Sequence, residues 1–173
     1  MTRPTERRSP PGQAVRTGRL GGGTFHLSCH LFILNPMMKA KATYKVKKWE
    51  ENTLRLISLH GKMTKASVQY DLSGDLQGLA SVEYLMFYRY FDPDDQHKSS
   101  ASYVGLIHFD GTLSGKSGTF VLEDRGTFQG GSANSLLRIL EGSGTGSLEG
   151  INGNGHYLAD QHGFRLELDY SLG

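Results

Sequence analysis

The stretch "FRLELDY" alternates strictly, with Phe164, Leu166, Leu168 and Tyr170 on one side and Arg165, Glu167 and Asp169 on the other. Successive side chains point in opposite directions only along an extended chain, so this is a strand with one face buried and one in water. The same period runs through "ASVQYDL", where Ala66, Val68, Tyr70 and Leu72 oppose Ser67, Gln69 and Asp71, and through "TYKVKKW" with Tyr44 and Val46 against Lys45 and Lys47. Further strand-like runs are "TLRLI" from Thr53, "ASVEYLMFYRY" from Ala80, "SASYVGLIHF" from Ser100, "TFVLED" from Thr119, "SLLRIL" from Ser135 and "GHYLA" from Gly155. Turn-rich breaks separate them at intervals of about a dozen residues, and no segment carries an apolar stripe at helical spacing over about ten residues. The pattern predicts an all-β chain, a single antiparallel β-barrel of about eight strands.

The glycine-rich run "GSGTGSLEGINGNG" raises the question of a phosphate cradle. A dinucleotide fingerprint needs G-x-G-x-x-G opening a helix; counted from Gly142 or Gly144, its sixth position is Ser147 or Glu149, and no Lys-Ser or Lys-Thr follows Gly150 to complete a P-loop. The run therefore turns the chain. Asn152-Gly153 and Asn154-Gly155 are read as hairpin turns, "GTGSLEG" as a bend or bulge, and Gly115-Lys116-Ser117 as a turn between two strands.

Residues 1–37 differ from the rest. "MTRPTERRSPPGQAVRTGRLGGG" has Pro, Gly and Arg without hydrophobic periodicity, which predicts disorder, and "TFHLSCHLFILNP" is interrupted by His26 and His30. The apolar run is too short and broken for a signal peptide or a membrane-crossing helix, and Arg7-Arg8 lies too far from it for a twin-arginine export signal. The expected division is an extension over 1–37, either disordered or mis-assigned with the true start at Met37 or Met38, followed by the barrel domain over 38–173. The net charge of +2 is uneven: residues up to Pro36 hold Arg3, Arg7, Arg8, Arg16 and Arg19 against Glu6 alone, so the remainder is mildly acidic. It carries no dense basic stripe, which argues against nucleic acid as a partner. The one cysteine, Cys29, allows no intrachain disulfide and points to a reducing, cytoplasmic compartment.

The succession "KASVQYDLSGDLQGLASVEYLMFY", "SASYVGLIHFDGTLSGKSGTFVLEDRGTF" and "GSGTGSLEGINGNGHY" resembles a bacterial family known only as a domain of unknown function, number thirty-two twenty-four. The resemblance spans about Met38 to the C-terminus and implies a small antiparallel β-barrel similar to allene oxide cyclase and dirigent barrels, often paired as a dimer. Where relatives carry an acid after "VGL" and a histidine two places after "FVL", this chain has Ile107 and Asp124.

A barrel of about eight strands is filled by side chains or holds one small ligand. In "SVEYLMFYRY", Val82, Tyr84, Met86 and Tyr88 alternate with Leu85 and Phe87, so both faces are apolar. One face lines the interior, and an oligomer interface accounts for the other. Glu83 reads either as a polar anchor or general acid/base inside the cup, or as a rim carboxylate. Further interior candidates are Tyr88, Tyr103, His108, Glu123 and Arg138, with Tyr103 and His108 on opposite faces by parity. "FDPDDQHK" gathers Asp92, Asp94, Asp95 and His97 but places His97 and Tyr103 where an EF-hand needs Gly and Glu, so it reads as a solvated loop. No zinc spacing and no Gly-x-Ser-x-Gly elbow is present, so neither metal nor cofactor is expected. The expected function is a cytoplasmic homodimer holding a small apolar molecule in the barrel, oriented by Glu83, Tyr88, Tyr103, Glu123 and Arg138. Two alternatives stand beside it. One is a barrel-confined cyclase or isomerase resembling allene oxide cyclase, with Glu83 as candidate catalyst; the other is an interaction module acting through its oligomer surface.

Overall fold

The period-two runs pair as consecutive antiparallel strands. In the computed structural model, which describes residues 35–173, these are β1 (Met38–Leu56), β2 (Lys62–Gly74), β3 (Leu76–Tyr90), β4 (Ser100–Leu113), β5 (Lys116–Gln129), β6 (Ser132–Ile139), β7 (Asn152–Asp160) and β8 (Gly163–Ser171). Each pairs with the next, and β1 pairs with β8, so the single sheet closes in a ring. The only helical turns among the described residues are short 3-10 pieces, Gln96–Lys98 and Gly146–Leu148. None is long and apolar enough to cross a membrane. The readings of residues 1–34, those on Arg7-Arg8 and Cys29 included, fall outside the described residues.

Local chemistry fixes the hairpins. Ser114 and Gly115 both have positive φ, 49° and 83°, and sit between the paired residues Leu113 and Lys116. This is the primed two-residue turn that matches strand twist, one residue earlier than the expected Gly115-Lys116-Ser117. "TYKVKKW" and "TLRLI", expected as separate strands, belong to one 19-residue strand, β1, carried across the break by bulges between Val46 and Lys48 and between Thr53 and Arg55.

The Asn152-Gly153 and Asn154-Gly155 hairpin turns are corrected. Both pairs lie inside β7, opposite Ser171 to Leu168 of β8, because the reversal is completed upstream. There the segment 140–151 crosses one end of the ring. Leu140 donates its N–H to the Val121 carbonyl and Thr145 to that of Thr119, both at 2.9 Å, and Leu148 and Ile151 are buried beneath. Gly153 and Gly155 are instead places of close approach, where a Cβ would strike the β8 carbonyls of Asp169 and Glu167.

The ring thus has a plugged half and an open half. Phe109, Phe120, Leu76, Leu113 and Tyr170 fill the plugged half, where the space left measures only about 20 Å³. The outer face carries cross-strand ion pairs such as Lys39–Asp169 at 2.6 Å and Lys41–Glu167 at 2.9 Å, both well exposed. Such pairs contribute little; burial of the inner face carries the stability. Leu148→Ala should therefore cost about 3 kcal/mol, the price of a core cavity. Leu59→Ala, at a site 92% exposed, should stay within about 0.5 kcal/mol of the parent; urea unfolding of both variants checks the contrast.

Candidate functional site

Parity sends Tyr70, Tyr84, Met86, Tyr88 and Tyr103 inward, and glycine decides how their rings lie. Tyr84 stands opposite Gly105 of β4, and Gly105 opposite Asp124 of β5. A Cβ on Gly105 would run into the Tyr84 ring. Without one, the ring lies across β4 and its hydroxyl donates to Asp124 Oδ2 at 2.8 Å, two strands away. The device repeats one step along. Tyr103 stands opposite Gly126, Gly126 opposite Ser135, and the Tyr103 and Ser135 hydroxyls share a 2.8 Å hydrogen bond. The Tyr84 and Tyr103 rings meet edge to face at 5.4 Å, and Tyr44 packs against Tyr70 at 5.0 Å and Tyr157 at 4.8 Å.

This belt of tyrosines divides the plugged half from an open cup of about 1110 Å³. The cup is walled by Trp49, Met86, Tyr88, Phe128 and Tyr157 together with polar residues that include Glu51, Lys62, Asp160 and His162, and floored by Tyr70, Tyr84 and Tyr103. Beneath the floor lies Asp124, 1% exposed. Its Oδ1 has no hydrogen-bond partner, nor has the buried Tyr44 hydroxyl, and an unpaired buried polar atom costs about 1–3 kcal/mol. Burial pushes the Asp124 carboxyl above its ordinary value, while the neighbouring Ser135 and Tyr84 hydroxyls pull the other way. Burial also raises Tyr70 to about 12 and pushes Tyr84, Tyr88, Tyr103 and Tyr157 upward. At neutral pH these phenols keep their protons, so the floor is built of neutral tyrosines.

Of the residues expected inside, Tyr88 and Tyr103 face the cup. Glu83, Glu123, Arg138 and His108 do not. Glu83 shares the outer parity of Leu85 and Phe87; its side chain is 59% exposed and pairs with Lys65 at 3.0 Å. The hydrogen bond from Lys65 holds its carboxyl below the usual range. Glu123 and Arg138, directly opposite one another, pair at 2.7 Å on the outside. The interior placement of these three charged residues is corrected: the neighbours one place along face inward, apolar on both sides of Glu83 and Arg138 and Leu122 and Asp124 beside Glu123, and the charge at each of the three stays in water. Two carboxylates do turn inward: Asp124, whose signal was present, since it shares parity with Phe120 and Leu122, and Glu51, which lines the cup and accepts from the Tyr88 hydroxyl at 3.4 Å and the Trp49 indole N–H at 3.1 Å.

In the loop after β3, Asp92 Oδ1 accepts from the Asp94 and Asp95 backbone N–H groups, both at 3.0 Å, and Asp95 from that of His97. These carboxylates fold the loop on itself. No group of three or more His, Cys, Asp or Glu side chains among the described residues converges as metal ligands do.

Fold and site together define a small all-β domain whose closed sheet is plugged at one end and open at the other over a floor of tyrosines. The chain belongs to a family of proteins of unknown function, DUF3224, whose sequence profile matches residues 40–170. A crystal structure of a protein with unknown function from that family, from Shewanella oneidensis MR-1, is similar with a TM-score of 0.65 at 22% identity, covering 80% of this chain and 99% of that one. The likeness extends to the fold. No curated protein matches the chain.

The raised Asp124 carboxyl has a consequence for stability. A group that binds its proton more tightly when folded costs stability once pH rises above its unfolded value, here 3.8, and the cost grows until the raised folded value is passed. Asp124→Asn carries no such cost. Urea unfolding of the two proteins from pH 3 to 8 should show the parent losing ground to the variant as pH increases through that window.

Proposed function

We propose that the open half of the barrel is a binding cup for a small, mostly apolar molecule bearing one hydroxyl or carbonyl group. The observation that carries this reading is the cup itself: about 1110 Å³, just above ligand-pocket sizes of about 300–1,000 Å³. The aromatic and apolar side chains of its wall, Trp49, Met86, Tyr88 and Phe128 among them, supply affinity, and polar residues such as Glu51, Lys62 and His162 share the lining. The floor hydroxyls of Tyr70 and Tyr103 orient the ligand in this reading, and the two glycine gaps hold the Tyr84 and Tyr103 rings. In this reading the protein works in the cytoplasm as a homodimer.

Confinement of a reactive substrate, as in allene oxide cyclase, is the second reading. Asp124 favours it: a buried carboxyl raised above its ordinary range, in contact with a floor hydroxyl, suits proton exchange. Glu83, on the outer face, has no place in such chemistry. An interaction module is the third reading, and the exposed outer residues Leu85, Val104 and Leu106 favour it.

The test uses N-phenyl-1-naphthylamine, a neutral fluorescent probe, displaced by alcohols and ketones of matched size. Saturable probe binding that quenches Trp49, the one tryptophan, on the cup wall, is the expected result. Tyr103→Phe should weaken the alcohols and ketones by about tenfold while leaving hydrocarbon competitors unchanged, as loss of one buried hydrogen bond requires. Glu83→Gln should change neither. No saturable binding, or equal loss for hydrocarbons and alcohols, would remove the proposed role of the tyrosine floor.

A further inference from the structure

Past Thr43 the ring is paired on one side only. The β1–β8 ladder ends at Thr43 opposite Arg165, whereas the β1–β2 ladder continues to Leu56 opposite Lys62. Residues 44–56 therefore present a row of backbone N–H and C=O groups without a neighbouring strand among the described residues, the arrangement that templates a further strand. Trp49 stands on this edge, 45% exposed, and the hairpin tip beyond it exposes Leu54, Leu56, Ile57 and Leu59.

Edges are commonly blunted by lysines and bulges, and Lys45, Lys47, Lys48 and the two bulges of β1 would serve that purpose. The charge pattern points the other way. "KKWEE", Lys47 to Glu51, inverts sign about Trp49. Laid antiparallel against itself and centred on Trp49, it sets Lys48 opposite the partner's Glu50 and Glu50 opposite the partner's Lys48. Centring it on Lys48 or on Glu50 sets like charges opposite one another, which disfavours those registers. Lys48 and Glu50 lie in the regular segment between the bulges, both more than half exposed, and pair with each other at 2.8 Å within the single strand. A second copy needs only to exchange their partners.

We infer that a second copy of this chain docks on the free edge, β1 against β1 and antiparallel about Trp49, joining two closed sheets across a twofold axis. Such a contact is self-complementary, as a twofold interface must be. It also carries each apolar hairpin tip past the partner's Tyr44 toward the start of β8, where Phe164 is exposed. The inference stands without the ligand reading, since its test needs no ligand.

Sedimentation velocity of the full chain at micromolar concentration and low salt should show a dimer. Lys48→Glu and Glu50→Lys should each raise the dissociation constant about tenfold, because each substitution turns two cross-strand attractions into repulsions. The double variant Lys48→Glu/Glu50→Lys should restore the parental value, and circular dichroism should show all three folded. Should a single variant fail to fold, Trp49→Cys in a Cys29→Ser chain provides the second measurement, with an oxidised crosslinked dimer as the expected product. A monomeric parent overturns the inference, as does a Trp49→Cys chain that stays uncrosslinked. So does a dimer that ignores both charge reversals but dissociates with Leu106→Glu, which would move the interface to the outer face of β3 and β4.

Discussion

Six residue pairs hold this structure in its form. The seam between Met38–Thr43 of β1 and Arg165–Tyr170 of β8 joins the first strand to the last, and without it the sheet would have two long edges and no inside. Closure converts one face of every strand into a shared interior, so the same alternation that builds each strand also builds the core. Equally important is where the seam stops. Because β8 has 9 residues and β1 has 19, the ladder runs out at Thr43, the sixth residue of β1. The plugged half is sealed, and the far half is left as a cup with a free strand on its flank.

Within the ring, the tyrosines make the boundary between filled and open space. A phenol is long enough to reach across a strand only if the residue beneath it has no side chain, and Gly105 and Gly126 supply that clearance at neighbouring positions. The rings are thereby held by packing, and two of their hydroxyls by Asp124 and Ser135, both 1% exposed. A carboxylate in such a place is costly, and the cost appears as its raised proton affinity. The arrangement gives the cup a floor that is polar in chemistry yet rigid in position, which a pocket that orients one functional group requires.

Much of this was legible in the residues. "FRLELDY" and "ASVQYDL" state their inward faces outright, and Tyr88 and Tyr103 follow from parity once one face is known. Glu83, Glu123 and Arg138 show the limit. Parity relates residues within a strand but does not say which set faces in, and in "SVEYLMFYRY" both sets are apolar, so an acid among them reads as buried when it is not. Asp124 was equally readable from the run Phe120, Leu122, Asp124, yet a carboxylate on a core face is chosen against unless its partners are visible. Those partners are Tyr84 on β3 and Ser135 on β6, and nothing local connects them.

The sequence alone determined the period-two alternation of the strands and a turn about Gly115, because each depends on neighbours a few residues apart. The tertiary structure decided which face is interior, that Asn152 to Gly155 pairs within β7 rather than turning, that Tyr84 meets Asp124 across Gly105, and that β1 outruns β8. All of these depend on register between strands far apart in the chain. Register is set by the closure of the whole ring, which no local stretch encodes.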